Sequence, residues 1–310
     1  MTEFGFIDHI KELFSSLPTN GFEGIGDDCA VLPVGGGESM LFTSDMLVED
    51  IHFSRASTSA FDLGHKSLAV NLSDVASMGA KPVATLLSLS LPKDLDPQWA
   101  EEFMRGYHSL SERHGVALVG GDTTASTSQI TINVTAIGKA SNHCIKRRCG
   151  AQVGDVIMVT GRLGDSAAGL RDIMNGMQST PLASIHRLPT PRVEEGEWLA
   201  KHDCVGAMMD ISDGVASDIR HIMSRSGVGA QINIESLPTT HSPQIALCGG
   251  EDYELLFTVR QELSESLRTQ FSTNFSVAIT PIGVIIEGAE IEWREMGERL
   301  PLDFMGFRHF

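Results

Sequence analysis

The chain has 310 residues, 42% hydrophobic and 20% charged, a globular composition long enough for two domains of roughly 140 to 160 residues with separate cores. Its net charge of -17 excludes a broad basic face for nucleic acid or an anionic membrane. Five cysteines without a C-x-x-C pair exclude a four-cysteine zinc site and argue for a reducing compartment rather than a disulfide framework.

The N-terminus lacks a basic start followed by an apolar core, and the most apolar stretch, 83–91, is too short and serine-rich to span a bilayer. A soluble, cytoplasmic protein is expected. Residues 4–17 carry Phe6, Ile10, Leu13, Phe14 and Leu17 at helical spacing, stopped by Pro18 and Gly21. After a glycine turn at 35–37, residues 40–43 read as a strand whose end delivers Asp45, and strand ends are where α/β proteins commonly place ligand groups. Residues 62–78 read as a helix with a broad apolar face and a narrow polar stripe of Ser67, Asn71 and Asp74. A strand at 83–91, a helix at 97–113, a strand at 116–119 ending in Gly120-Gly121-Asp122, and an alternating strand at 130–137 complete a mixed α and β half.

Basic residues gather at 139–150, where the junction between a domain over 1–140 and another over 150–310 is placed. Beyond it the pattern gives strands at 156–159, 207–209, 231–234, 255–259, 282–286 and 290–293, with helices at 167–174, 194–200, 215–225 and 263–271. The expected class is α/β (α+β) in two domains.

Asp28, Asp45, Asp74, Asp122, Asp210 and Asp213 stand beside glycine or serine. Small neighbours let backbone and ligand approach closely, and free carboxylate oxygens suit hard cations such as magnesium. Each one alone also fits a turn or a helix cap. Several aspartates sharing a cleft with a triphosphate would repel by about 4 kcal/mol per close pair, so divalent metal is required. Asp210-Ile211-Ser212-Asp213-Gly214 is not a calcium loop, because its glycine and the twelfth residue, His221, miss the required positions. Arg148 is open to two readings, a phosphate-gripping guanidinium or an exposed basic turn. His52 fits a surface or capping role, and residues 249–254 fit a turn before the next strand. No H-E-x-x-H and no nucleophile elbow is present.

The order of Gly24-Ile25-Gly26-Asp27-Asp28, Thr43-Ser44-Asp45 with His52-Phe53, Val70-Asn71-Leu72-Ser73-Asp74, Gly120-Gly121-Asp122, Asp210-Ile211-Ser212-Asp213-Gly214, Gly249-Gly250-Glu251-Asp252-Tyr253 and Gly306-Phe307-Arg308-His309-Phe310 resembles the thiamine-monophosphate kinase family. That family belongs to the aminoimidazole-ribonucleotide-synthetase-like superfamily, and the resemblance runs essentially end to end. It implies ATP-dependent, magnesium-dependent phosphorylation of thiamine monophosphate in a homodimer whose N-terminal sheets pair, with no covalent phosphoenzyme. By matching motif it implies a metal set of Asp28, Thr43, Ser44, Asp45, Asp74, Asp122, Asp210 and Asp213. It also implies ATP contacts from Gly121, Asp122, Arg148, Ser212 and Tyr107, and substrate contacts from His52, Glu251 and the aromatic Phe304. Alternatives are another ATP-using member of the superfamily, or a non-catalytic acidic metal-binding protein. The first is disfavoured because no early cysteine of the selenophosphate type is present and the last cysteine is Cys248.

Overall fold

Ser59 and Asp96 begin the two helices that organise the N-terminal half. Ser59 Oγ accepts from the Asp62 amide at 3.1 Å and Asp96 Oδ1 from the Gln98 amide at 2.9 Å, each satisfying a donor that the first helical turn would otherwise leave open. Pro97 follows Asp96 where its missing N–H does no harm, and Gly115 closes the second helix in the left-handed conformation. The computed structural model describes residues 3–301 and 304–306; the closing 307–310 motif lies outside them.

The N-terminal half comprises α1 (Glu3–Phe14), β1 (Ala30–Gly35), β2 (Glu38–Val48), α2 (Ala60–Ser77), β3 (Lys81–Pro92), α3 (Pro97–His114), β4 (Ala117–Ser126) and β5 (Thr131–Ser141). Its five strands run in the order β1-β2-β5-β3-β4, antiparallel except for the parallel β3–β4 pair. Leu63, Leu68 and Leu72 of α2 join Phe103 and Leu110 of α3 and Ile132 and Val134 of β5 in one core. The two helices touch at glycine: a Cβ on Gly64 would lie 1.9 Å from the Phe103 carbonyl oxygen. Gly64→Ala is therefore expected to lower the unfolding free energy by about 2–3 kcal/mol. A urea midpoint equal to that of the wild type would contradict this close approach.

The C-terminal half comprises β6 (Val156–Thr160), α4 (Asp165–Met174), α5 (Pro181–Arg187), α6 (Val193–Ala200), β7 (Val205–Asp210), α7 (Val215–Ser226), β8 (Gly229–Asn233), α8 (Pro243–Cys248), β9 (Leu255–Val259), α9 (Ser264–Asn274), β10 (Ile279–Ile286), β11 (Ile291–Glu295) and β12 (Glu298–Arg299). Its sheet runs β12-β11-β8-β10-β6-β9-β7, with β11–β8 the parallel pair. One face packs under α7 and α8 through Ile219, Ile222, Ala246 and Trp293, and the other under α9 through Phe257, Leu267 and Phe271. Both faces are covered at β6, β7 and β9, so these strands read as apolar runs rather than alternations.

Several details depart from the sequence expectations. The first helix stops at Phe14, where Ser15 Oγ turns back to the Glu12 carbonyl. Asp45 lies inside β2, because β2 pairs with β5 in unbroken register through Val48. Gly120, Gly121 and Asp122 lie within β4, which stays paired to β3 through Ser126. Gly121 sits at φ +148, and a Cβ there would fall 1.7 Å from the Leu87 carbonyl oxygen, so only glycine fits this strand.

Candidate active site

Helix α2 is the shared wall of the site: it packs on β2 and β5 of its own half and against α6 and β7 of the other. Strand alternation puts Thr43 and Asp45 on the face of β2 that looks toward it. Thr43 Oγ1 donates to Asp74 Oδ2, and the Asp45 amide donates to Asn71 Oδ1 at 3.1 Å. One position earlier on α2, Ser73 Oγ donates to Asp210 Oδ2 at the end of β7. Ser77, one turn beyond Ser73, donates to Asp28 Oδ2. Two sheets, one helix and the loop before β1 thus deliver Asp28, Asp45, Asp74 and Asp210 to one place.

Arg148, in the segment between the sheets, closes the group. Its Nε donates to Asp28 Oδ1 at 2.8 Å, a terminal guanidinium nitrogen donates to the same oxygen, and its amide donates to Asp27 Oδ1 at 2.8 Å. The Asp28 side chain is only 1% exposed. One guanidinium among four carboxylates leaves negative charge in excess. Burial, then the Asp28 carboxylate, pushes the Asp45 carboxyl up to about 6. Burial and the same neighbour push Asp210 up to about 8, against the Ser73 hydroxyl and Arg148, which favour its ionised form. Asp74 is also raised, by burial and then by Asp45, Asp210 and Asp28.

The donor set fits magnesium. It is made of oxygens alone, and burial followed by neighbouring carboxylates raises Asp45, Asp74 and Asp210, a strain that a bound cation relieves. No three or more His, Cys, Asp or Glu side chains among the described residues are arranged around one point to hold a metal. Magnesium needs no such group, since it takes one or two carboxylates and completes its shell with phosphate and water.

Asp213 and Ser212 lie on the loop entering α7, next to this group; burial and then the Asp213 and Asp210 charges raise the carboxyl of Asp218 in the first turns of α7. Ser212 holds the loop of residues 249–254, its carbonyl accepting from the Glu251 amide at 2.7 Å. Glu251 and Tyr253 there adopt φ of 57° and 50°, a conformation that costs on the order of 1 kcal/mol or more for each non-glycine residue. The loop is held on its other sides as well. Asp252 accepts from the Gly164 amide at 2.7 Å, while Glu254 accepts from Thr160 Oγ1 at 2.6 Å and Arg192 Nε at 2.7 Å. His52 Nδ1 accepts from the Val48 amide at 3.0 Å; burial opposes ionisation of Glu251, but Lys66, then His186 and last His52, hold its carboxyl below the ordinary range.

Four other candidates sit differently. Ser44 is exposed on the opposite face of β2, where Asn133 Nδ2 donates to its Oγ at 3.1 Å. Asp122 is exposed on β4, and no hydrogen bond or ion pair joins it to the cluster among the described residues. Tyr107 is a core residue of α3, 1% exposed, with its hydroxyl donating to Thr85 Oγ1 at 2.8 Å. Burial pushes that phenol up to about 12. Phe304 is 8% exposed and packs edge-on against Trp293 at 5.0 Å, so its ring fills the C-terminal core instead of offering a stacking face. The segment does return to the site, because Gly306 lies against Asp213 and Ser217. Sequence reasoning missed Lys66, His186 and Asp218, all buried beside these groups.

Comparison with known proteins agrees over nearly the whole chain. Residues 26–140 match the family model "AIR synthase related protein, N-terminal domain", and residues 152–294 match the corresponding C-terminal domain. The thiamine-monophosphate kinase of Salmonella typhimurium is 37% identical, covering 99% of this chain and 98% of the relative, and that of Bacillus subtilis is 32% identical, covering 93% of each. Among solved structures, AaThiL complexed with AMPPCP and TMP superposes with a TM-score of 0.86 at 33% identity, covering 100% of this chain and 97% of that one. Thiamine-monophosphate kinase from Stenotrophomonas maltophilia gives 0.77 at 38% identity, covering 96% and 98%.

Proposed function

Because the chain belongs to the thiamine-monophosphate kinase family of AIR-synthase-related proteins, we propose that it transfers the γ-phosphoryl group of ATP to the phosphate of thiamine monophosphate, giving thiamine diphosphate. The observation that carries this reading is the convergence of Asp28, Asp45, Asp74 and Asp210 about helix α2 at the seam between the two sheets, with Arg148 bonded to Asp28. Magnesium, held by members of this set together with Thr43 and Asp213, supplies charge neutralisation between two polyanions.

The chain's own residues bind and align. Arg148 adds a positive fork for the nucleotide phosphates. Ser212 and the N-terminus of α7 add backbone donors and a partial positive charge. His52 and Glu251 hold the acceptor, whose organic part extends away from the metal cluster. The attacking atom is a phosphate oxygen ionised at neutral pH, so no side chain has to remove a proton. Transfer is direct and in line, with positioning and charge neutralisation as the chain's contribution and no phosphoenzyme.

A second copy of the chain covers β4 in this reading. The strand is a sheet edge, exposed at every position from Ala117 to Ala125, with Val119 at 59% and Leu118 at 43% exposure. An exposed apolar edge invites pairing, and it would place Gly121 and Asp122 in the interface. No helix among the described residues is long and apolar enough to cross a membrane, and all five cysteines are free, which supports work in the cytoplasm.

Incubation with ATP, magnesium and thiamine monophosphate should yield thiamine diphosphate by chromatography, with no label retained on the protein after single turnover of γ-labelled ATP. Failure to form product removes the reading, and a labelled protein intermediate removes direct transfer.

A further inference from the structure

Lys66 belongs to the second turn of α2 and is only 2% exposed. Its ammonium donates to Glu251 Oε2 at 3.0 Å, and this is its one hydrogen bond among the described residues. Burying such a group is costly without a partner, so the pair is set deliberately across the two halves of the molecule. Glu251 is fixed from the other side by its strained backbone and by the hydrogen bond its N–H donates to the Ser212 carbonyl. Its Oε2 also lies 3.4 Å from His186 Nδ1, whereas no hydrogen bond reaches its Oε1 among the described residues and the side chain is 28% exposed. Burial and then Lys66 push His186 down to about 4, so the imidazole is neutral at physiological pH and Lys66 is the countercharge.

The placement on α2 matters. Lys66 and Ser73 are seven residues apart, two turns along one face, or about 10 Å at the helical rise. Each bonds the C-terminal half, Lys66 through Glu251 and Ser73 through Asp210. Tyr253 is buried within reach of the Glu251, Asp45, Asp210 and Asp74 charges, which links the two ends of this face. An acceptor with its phosphate at the aspartates would therefore bring a group about 10 Å away to Glu251. In thiamine monophosphate that part of the molecule is a cationic thiazolium carrying an aminopyrimidine.

We propose that Lys66 is a positioning residue for acceptor recognition, clamping one oxygen of Glu251 so that the other faces the thiazolium–aminopyrimidine part of the substrate. The inference rests on the activity proposed above. Its mark is a split between binding and turnover: K66M should raise KM for thiamine monophosphate roughly tenfold, with kcat and KM for ATP within about twofold.

The test is a double-mutant cycle with E251Q, both variants first checked for cooperative thermal unfolding. Acting through Glu251, Lys66 should matter little once Glu251 is gone, so K66M should add less than about twofold on the E251Q background. K66R, which keeps the charge, should recover part of the loss. If K66M does not fold, K66R on the two backgrounds gives the same comparison. An unchanged or lowered KM for thiamine monophosphate, or additive effects, overturns the role of Lys66. A wild-type protein that does not turn over thiamine monophosphate overturns instead the reading on which it rests.

Discussion

Asp45→Asn is expected to lower kcat by about a thousandfold at ordinary magnesium while leaving the fold intact, a loss of about 4 kcal/mol of transition-state stabilisation. The fold should survive because the backbone amide of Asp45, not its carboxylate, makes the described bond to Asn71. Its carboxylate meets other carboxylates, and in the absence of metal the substitution should stabilise. The folded-state carboxyls of Asp45 and Asp210 sit at about 6 and about 8, above the ordinary 3.8. Between roughly pH 4 and 8 the folded chain therefore keeps protons that the unfolded chain has released. Stability of the metal-free protein consequently falls as pH rises through that window. Magnesium should raise the melting temperature more at pH 8 than at pH 6, and Asp45→Asn should flatten the lower part of the pH dependence. Thermal melts at the two pH values, with chelator and with magnesium, check the sign, and kinetics check the loss. Near-normal turnover would remove Asp45 from the metal set.

Arg148→Met is expected to have the opposite effect on stability. Its guanidinium is the one described ion-pair partner of the buried Asp28, and removing one member of a buried pair costs about 3–5 kcal/mol because the other charge is left uncompensated. The urea midpoint should drop accordingly, and added magnesium should recover part of it. Turnover should fall about a hundredfold or more, since the fork that meets the nucleotide phosphates is lost with the charge. Arg148→Lys should restore stability better than turnover, because a point charge satisfies Asp28 but cannot reproduce the planar fork. A variant with unchanged stability would mean that Asp28 finds its countercharge elsewhere.

Helices α2 and α3 were legible in the sequence because caps, helical periodicity and proline or glycine stops all agree there. Strand β1 was hidden by Pro33 and Gly35, which read as turn, and α5 and α8 were hidden by their shortness. Ser44 shows what a strand boundary decides. Reading β2 only to residue 43 left Ser44 free to join Asp45, whereas extending the period-two pattern through Val48 puts the two on opposite faces. Tyr107 falls one helical turn from Phe103, on a stripe that continues to Leu110, and that spacing alone marks it as core. Lys66 was harder, because a lysine in a helix is ordinarily a solvated residue. Its signal is the two-turn spacing to Ser73, which becomes informative only once Glu251 and Asp210 are known to approach the same helix face from the other half of the chain. The four aspartates come from elements far apart in sequence, so their order suggested a site while only the folded chain gives their distances and shared charge.

ATP should enter this acidic site only together with magnesium, and calorimetry with a non-hydrolysable ATP analogue checks this. Binding heat should be measurable with magnesium and absent with chelator, since four carboxylates and one guanidinium repel a bare triphosphate. Equal affinity under both conditions would contradict it.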